Sequence, residues 1–187
     1  MNEKFIEFNE KRGRALTERY VLHVFNVFTP TQPKLKLGYK QPKICRYCGE
    51  DEGSTTFREE SHAVPIFLGN KTIIDELECD RCNHHFGDHL ENNFAAYTHP
   101  HRPLQRIRGR NGIPKYKALD LEISAVDQSN LVIYVDCEGG IDTLEVEGKN
   151  QLRLQMMRQP YYPTAIHKML IKMALAMMPD DDHCQFN

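Results

Sequence analysis

Four of the six cysteines fall into two Cys-x-x-Cys pairs, Cys45 with Cys48 and Cys79 with Cys82, thirty residues apart. A two-residue gap lets both sulfurs of a pair reach one ion from a tight knuckle. Two knuckles can therefore supply the four thiolates of a tetrahedral zinc site. A redox dithiol needs only one such pair, so two pairs in one short segment favour the metal. Four thiolates leave zinc no open position, which makes it a structural ion. Any chemistry must then come from side chains that the zinc holds in place. Two stand out: His62, within Glu59-Glu60-Ser61-His62-Ala63-Val64-Pro65 between the knuckles, and Asn83, directly after the last cysteine.

The order Cys-x-x-Cys, an acidic segment with His-x-x-Pro, then Cys-x-x-Cys-Asn resembles the HNH endonucleases, most closely their four-cysteine zinc branch. The resemblance covers roughly residues 43 to 98, about a third of the chain. It implies a ββα-metal finger in which two strands and a helix grip one catalytic divalent ion, Mg²⁺ or Mn²⁺. It implies further that His62 is the general base, that Asn83 is a ligand of that ion, and that the products carry 5′-phosphate and 3′-hydroxyl ends. The family usually places Asp, His or Glu, a metal ligand, immediately before the base histidine; here that position is Ser61. A neutral hydroxyl is a poor ligand for a hard cation beside a carboxylate. Either Glu60 or Glu59 reaches the ion, or Ser61 holds it through water, or activity is weakened. The family's middle Asn has two claimants, Asn70 and Asp75, and its role stays open. Of His84, His85 and His89, His85 is favoured as an accessory to the ion or the phosphate.

Hydrolysis of a phosphodiester needs a water nucleophile, a group to take its proton, and positive charge near the developing phosphorane. An imidazole suits proton removal because its ordinary pKa lies near working pH. Asn83 and an acid near position 60 would offer Mg²⁺ few protein ligands, which suits an ion that keeps several waters.

Certain elements must position these groups. Thr55-Thr56-Phe57 reads as a strand leading to His62, and Thr72-Ile73-Ile74 as a second, after a turn at Leu68-Gly69-Asn70-Lys71. A helix after Cys82 would bury Phe86, Leu90 and Phe94 and carry Asn83 in its first turn. Residues 3 to 28 have helical spacing, although Val21 to Phe25 could equally be strand; residues 29 to 44 read as an extended basic connector. Beyond the finger, Asn111-Gly112 signals a turn. Residues 119–126, 131–135 and 141–146 alternate as a β-meander, and 152–156 can add a strand. Residues 164 to 178 form a helix with Ile166, Met169, Leu170, Met173 and Met177 on one stripe. The fold class expected is α+β, in three parts: 1–42, the finger over 43–98, and a β-plus-helix platform over 99–187.

The charge sum, −2 over 187 residues, argues against a uniformly basic nucleic-acid binder. Distribution is more telling. Phe28 to Cys48 carries five Lys/Arg and no acid, and His101 to Ala118 carries six and no acid. Within the second stretch Arg106, Arg108, Arg110 and Lys115 are candidate phosphate contacts, with no sign of a base-reading helix. No run approaches the eighteen apolar residues of a membrane span, and the N-terminus lacks a secretory core. Thiols at metal spacing point to a reducing, cytoplasmic setting, with Cys137 and Cys184 as free thiols. The abrupt end at Phe186-Asn187 is compatible with a longer natural chain.

Two readings result. The first is a metal-dependent DNA endonuclease, in keeping with bacterial anti-phage defence or phage biology, whose platform would mediate homodimerisation, target choice or control by a regulatory partner. The second is a zinc-stabilised binding module, non-catalytic because Ser61 stands where the acid should be. Only the first cleaves plasmid.

Overall fold

A computed structural model of the chain describes residues 13–14, 18–19, 32–38, 42–118, 121–126, 130–135, 142–146, 149–154 and 156–179. The chain divides into two compact units, Met1–Gln32 and Pro33–Asn187, and the second holds both the finger and the platform. The expected N-terminal helix lies outside the described residues apart from Gly13, Arg14, Glu18 and Arg19, as do Cys137 and Cys184.

The fold class is α+β. At its centre is β2 (Ile73–Asp75), buried along its whole length. One edge of β2 pairs in parallel with β1 (Leu35–Leu37), so the expected basic connector in fact contributes a strand. The other edge meets residues 61–63 through an antiparallel bridge between His62 and Ile74. The bridge is closed by Ala63 N–H to the Ile73 carbonyl at 3.1 Å and Asp75 N–H to the Ser61 carbonyl at 2.8 Å. Thr55-Thr56-Phe57, expected as a strand, forms none. Asp80 instead gathers this loop: its carboxylate accepts the amides of Arg58 at 3.0 Å and Glu59 at 2.9 Å.

The helix begins earlier than its sequence suggests. Helix α1 (Asp80–Phe86) starts after Cys79, whose sulfur joins the cysteine cluster rather than capping the helix, and Asp80 favours the positive end of the dipole. A π turn over Gly87–Glu91 leads into α2 (Asn92–Thr98). Leu90 and Phe94 are buried, as the apolar spacing predicts, and Phe86 packs beside them. Their partners are Ala165, Ile166 and Met169 of the C-terminal helix, further along the chain. Each large apolar side chain buried there contributes roughly 1.5–3 kcal/mol.

A short helix α3 (His101–Leu104) precedes the sheet β3 (Tyr116–Ala118), β4 (Leu121–Ala125) and β5 (Leu131–Val135), antiparallel in that order. Of the expected meander, residues 119–126 and 131–135 pair as β4 and β5, while the sheet's third strand, β3, was not expected. The next two, β6 (Asp142–Val146) and β7 (Lys149–Arg153), pair as a hairpin of their own. Tyr116, Leu121 and Ile123 form the sheet's core with Leu104 against it. The Tyr116 hydroxyl donates to the Met157 carbonyl at 2.9 Å and accepts the Met157 amide at 2.6 Å, tying the sheet to the segment that leads into the last helix.

That helix, α4 (Pro163–Met177), starts with Pro163, whose missing N–H costs nothing in a first turn. Its buried face is Ala165, Ile166, Met169, Lys172 and Ala176, whereas Leu170 and Met177 are exposed. The stripe read from the sequence is therefore turned, and the buried face includes a lysine, Lys172, that was not part of it. No helix among the described residues is long and apolar enough to cross a membrane.

Candidate active site

The four sulfurs of Cys45, Cys48, Cys79 and Cys82 lie within 4.8 Å of one another. The Cys48 and Cys79 sulfurs are 3.7 Å apart, and the Cys79 amide donates to the Cys45 sulfur at 3.5 Å. Burial pushes the Cys45 thiol up to about 11. Burial also acts upward on Cys48, but the Glu50 amide and the neighbouring sulfurs outweigh it and bring that thiol down to about 7. Four soft donors converging on one point, with amides aimed at sulfur, form a donor set that suits zinc.

A cleft of about 640 Å³ opens beside this cluster, and Glu60, His62, Asn83, Arg102 and Arg110 all line it. Each arrives for a local reason. Along extended backbone successive side chains alternate faces, so Glu60 and His62 share one face while Ser61 and Ala63 point the other way, both fully buried. The His62 Nε2 lies 3.7 Å from Glu60 Oε1, and Glu60 also pairs with Lys34. Ser61 Oγ is buried with no hydrogen-bond partner and is not part of the cleft wall. Asn83, in the first turn of α1, donates its Nδ2 to Glu59 Oε2 at 2.9 Å. Glu59 in turn holds His84 Nε2 at 2.8 Å and raises that imidazole's pKa, so it acts as the anchor of the helix start. With its nitrogen so held, Asn83 has its carbonyl oxygen left as an acceptor.

His62 is a partly buried imidazole whose Nδ1 has no hydrogen-bond partner. Burial drives its pKa below the ordinary 6.5; Glu60 opposes this, and Lys34, Lys172 and Arg110 reinforce it. The neutral ring is thus the resting form near neutral pH.

Residues predicted as phosphate contacts separate in space. Arg110 sits in a two-residue turn closed by reciprocal hydrogen bonds between Gly109 and Gly112, and this turn carries it into the cleft. Gly112 has φ +96°, and a side chain at Gly109 would press on the Phe67 backbone, so both glycines are needed where they stand. Lys115 points towards Glu122, 4.0 Å away, and neither it nor Arg106 nor Arg108 lines the cleft. His85 is exposed, its ring 4.7 Å from that of His89, and also lies outside the cleft. In the first basic stretch, Lys36 and Lys43 both pair with Glu76, and Arg46 pairs with Asp75.

Other groups at the site were not legible as such. Asn70 fastens the loop that returns from His62 to β2. Its Nδ2 donates to the carbonyls of Val64 at 2.7 Å and Ile73 at 3.0 Å, and its Oδ1 accepts the amides of Thr72 and Ile73. Asp75, the other claimant to the middle-Asn role, faces Arg46 Nε at 3.1 Å and the Tyr47 hydroxyl at 3.0 Å. Lys172 and Glu78 form a buried ion pair at 2.8 Å. Burial pushes the Glu78 carboxyl up while Lys172 pulls it back. Arg102 lies over the Phe67 ring, 5.2 Å from its centre, and donates to the Ala95 carbonyl at 3.2 Å. A lysine falling in phase with an apolar stripe was the one sequence signal for this group.

Residues 45–97 match the family model described as HNH endonuclease. This segment is similar to the HNH endonucleases, and its cysteine cluster is consistent with their zinc-binding finger. The match spans both cysteine pairs, His62, Asn70 and Asn83, close to the limits expected from the motif alone. The matched segment ends within α2, so Lys172 and the rest of α4 lie outside it although α4 packs against it. Neither the curated proteins nor the solved structures give a match to the chain.

Proposed function

We propose that this protein is a metal-dependent endonuclease that hydrolyses DNA phosphodiester bonds, acting in defence against phage DNA. The observation that carries the reading is that His62 and Asn83, from two different elements of an HNH finger, line one cleft together with Glu60.

The cysteine cluster would hold a structural zinc that fixes the knuckles and, through Cys79, the start of α1. Glu60 and the Asn83 carbonyl oxygen would be the donors for a catalytic Mg²⁺ or Mn²⁺, a sparse oxygen set that such ions accept. Bound there, the ion supplies positive charge to the scissile phosphate and its leaving oxygen. His62, neutral at working pH, takes the proton from the attacking water at Nε2, the ring nitrogen on the Glu60 side. Arg110, which also lines the cleft, would offer its guanidinium to phosphate, a contact that adds affinity without reading sequence. Ser61 has no part in this scheme; its place is taken by Glu60, one residue earlier on the correct face.

The test is plasmid nicking with Mg²⁺ or Mn²⁺. Cleavage by the wild type and its loss in His62→Ala support the endonuclease. One observation favours the alternative, a binding module: the residue before the histidine offers the cleft no ligand, and Glu60 is already paired with Lys34. Intact plasmid at high protein and Mn²⁺, with DNA still bound, would establish that alternative.

A further inference from the structure

In the bridge that carries His62, the hydrogen bonds run from Ala63 to Ile73 and from Asp75 to Ser61. His62 and Ile74 are therefore the non-hydrogen-bonded pair, and the backbone N–H and C=O of His62 point away from β2. Among the described residues no strand lies on that side to receive the carbonyl. What receives it is Lys172, reaching in from α4, 110 residues later in the chain, with Nζ 2.7 Å from the His62 oxygen.

The ammonium has been built into place at some cost. Its side chain is 3% exposed, paired with Glu78 at 2.8 Å. Its Nζ lies 5.9 Å from the ring centres of both Tyr47 and Phe86. A buried pair of this kind is weak evidence for stability, because apolar residues of similar size commonly do as well. A buried charge that also grips the backbone of a site residue has another use.

We propose that Lys172 is a positioning residue for His62: by clamping the His62 carbonyl it fixes the peptide that aims the imidazole into the cleft, with Glu78 as the counterion that holds the clamp. This rests on the reading of His62 as the general base. The active unit is then larger than the HNH finger, since a helix outside the matched segment completes it. An isolated single bridge restrains His62 less than a full ladder would, and a general base displaced by about 1 Å can lose a hundredfold in rate.

The experiment uses the full zinc-loaded chain. Lys172→Met combined with Glu78→Gln removes the clamp without stranding a buried carboxylate, and Met169→Ala, from the apolar face of α4, serves as a control for lost packing. Kinetics on a DNA duplex and site-resolved amide exchange are read together. For the double variant kcat should fall about ten- to a hundredfold with KM within about twofold. The Ala63 and Asp75 amides should exchange at least about tenfold faster, while those of β4 keep their protection. Met169→Ala should lower the melting temperature and leave kcat unchanged. Wild-type kcat and exchange in the double variant would overturn the proposal, as would faster exchange throughout the chain. If the wild type itself cuts no DNA, the endonuclease reading falls, and the exchange of Ala63 and Asp75 still decides whether Lys172 holds the His62 segment.

Discussion

Arg46 Nη1 donates to the carbonyl oxygen of Leu175 at 2.8 Å and to that of Ala176 at 3.2 Å, so a residue inside the first cysteine knuckle caps the end of α4. The last carbonyls of a helix have no partners within it, and a cation there also suits the dipole. The same guanidinium reaches Asp75 on β2 through Nε at 3.1 Å, with both side chains almost wholly buried. One side chain thus joins the knuckle, the central strand and the last helix.

Arg46→Met is therefore expected to destabilise the protein by about 3–5 kcal/mol, because it leaves Asp75 buried beside too little positive charge. Burial already pushes the Asp75 carboxyl up and Arg46 is the chief force pulling it down. Arg46→Lys should fail to rescue, since one ammonium cannot serve a carboxylate and two carbonyls in diverging directions. Urea unfolding with zinc present measures both. A loss below about 1 kcal/mol for Arg46→Met would remove the knuckle-to-helix tie from the account of stability.

Removing one sulfur tests the metal. Cys79→Ser should bind no zinc and leave the finger unfolded, because structural zinc supplies folding energy directly. Cys79 is the decisive choice, being fully buried, adjacent to Glu78 and at the start of α1. Metal analysis and far-UV circular dichroism give the readout, and chelation of the wild type should reproduce the effect. A variant that melts like its parent would disprove the zinc assignment.

The pH profile is set by burial of His62. Its pKa is held below 6.5, so the neutral, proton-accepting ring persists above that folded value and is lost as pH falls through it. The acid limb of kcat should accordingly have its midpoint below 6.5, with activity near its plateau at pH 7. The same sign applies to stability: what the depressed pKa contributes is present above the unfolded value and lost on acidification. Zinc content must be followed in parallel, because thiolate protonation releases metal too. A midpoint above 6.5 would mean that Glu60 outweighs desolvation and that the resting ring is charged.

The four-cysteine cluster and the helix bearing Leu90 and Phe94 were legible because both depend on local spacing, two residues for the knuckles and three to four for the helix. The position of Asn83 came from the same local rule. What sequence could not give was pairing between distant segments. Lys36, Lys43 and Arg46 read as a basic stretch free of acid, yet the fold brings Glu76 and Asp75 to them. The strand at Leu35–Leu37 was missed for a related reason: three residues of parallel partner carry no period long enough to detect. Thr55 to Phe57 erred the other way, β-prone residues drawn into a loop by the carboxylate of Asp80. Ser61 stands where the motif expects a ligand, yet alternation along the strand buries it and puts Glu60 on the cleft side.

Asn70 yields a prediction that separates its donors from its acceptor. The loop from Val64 to Thr72 carries no strand or α-helical ladder of its own, only a short 3₁₀ turn at Ile66–Leu68 that ends in Gly69 with φ +94°. Asn70 supplies what the backbone lacks, two bonds given to carbonyls and two received from amides. Asn70→Ala abandons all four and should cost about 2–4 kcal/mol, at roughly 1 kcal/mol net for each. Asn70→Asp keeps the acceptor for Thr72 and Ile73 but turns an oxygen against the carbonyls of Val64 and Ile73. That repulsion should make it no better than Ala. Both should also slow cleavage, because the loop sets where the strand bearing His62 meets β2. Measured by urea unfolding and single-turnover cleavage, an Asp variant close to wild type would show that the donors are idle and that only the Oδ1 contacts fasten the loop.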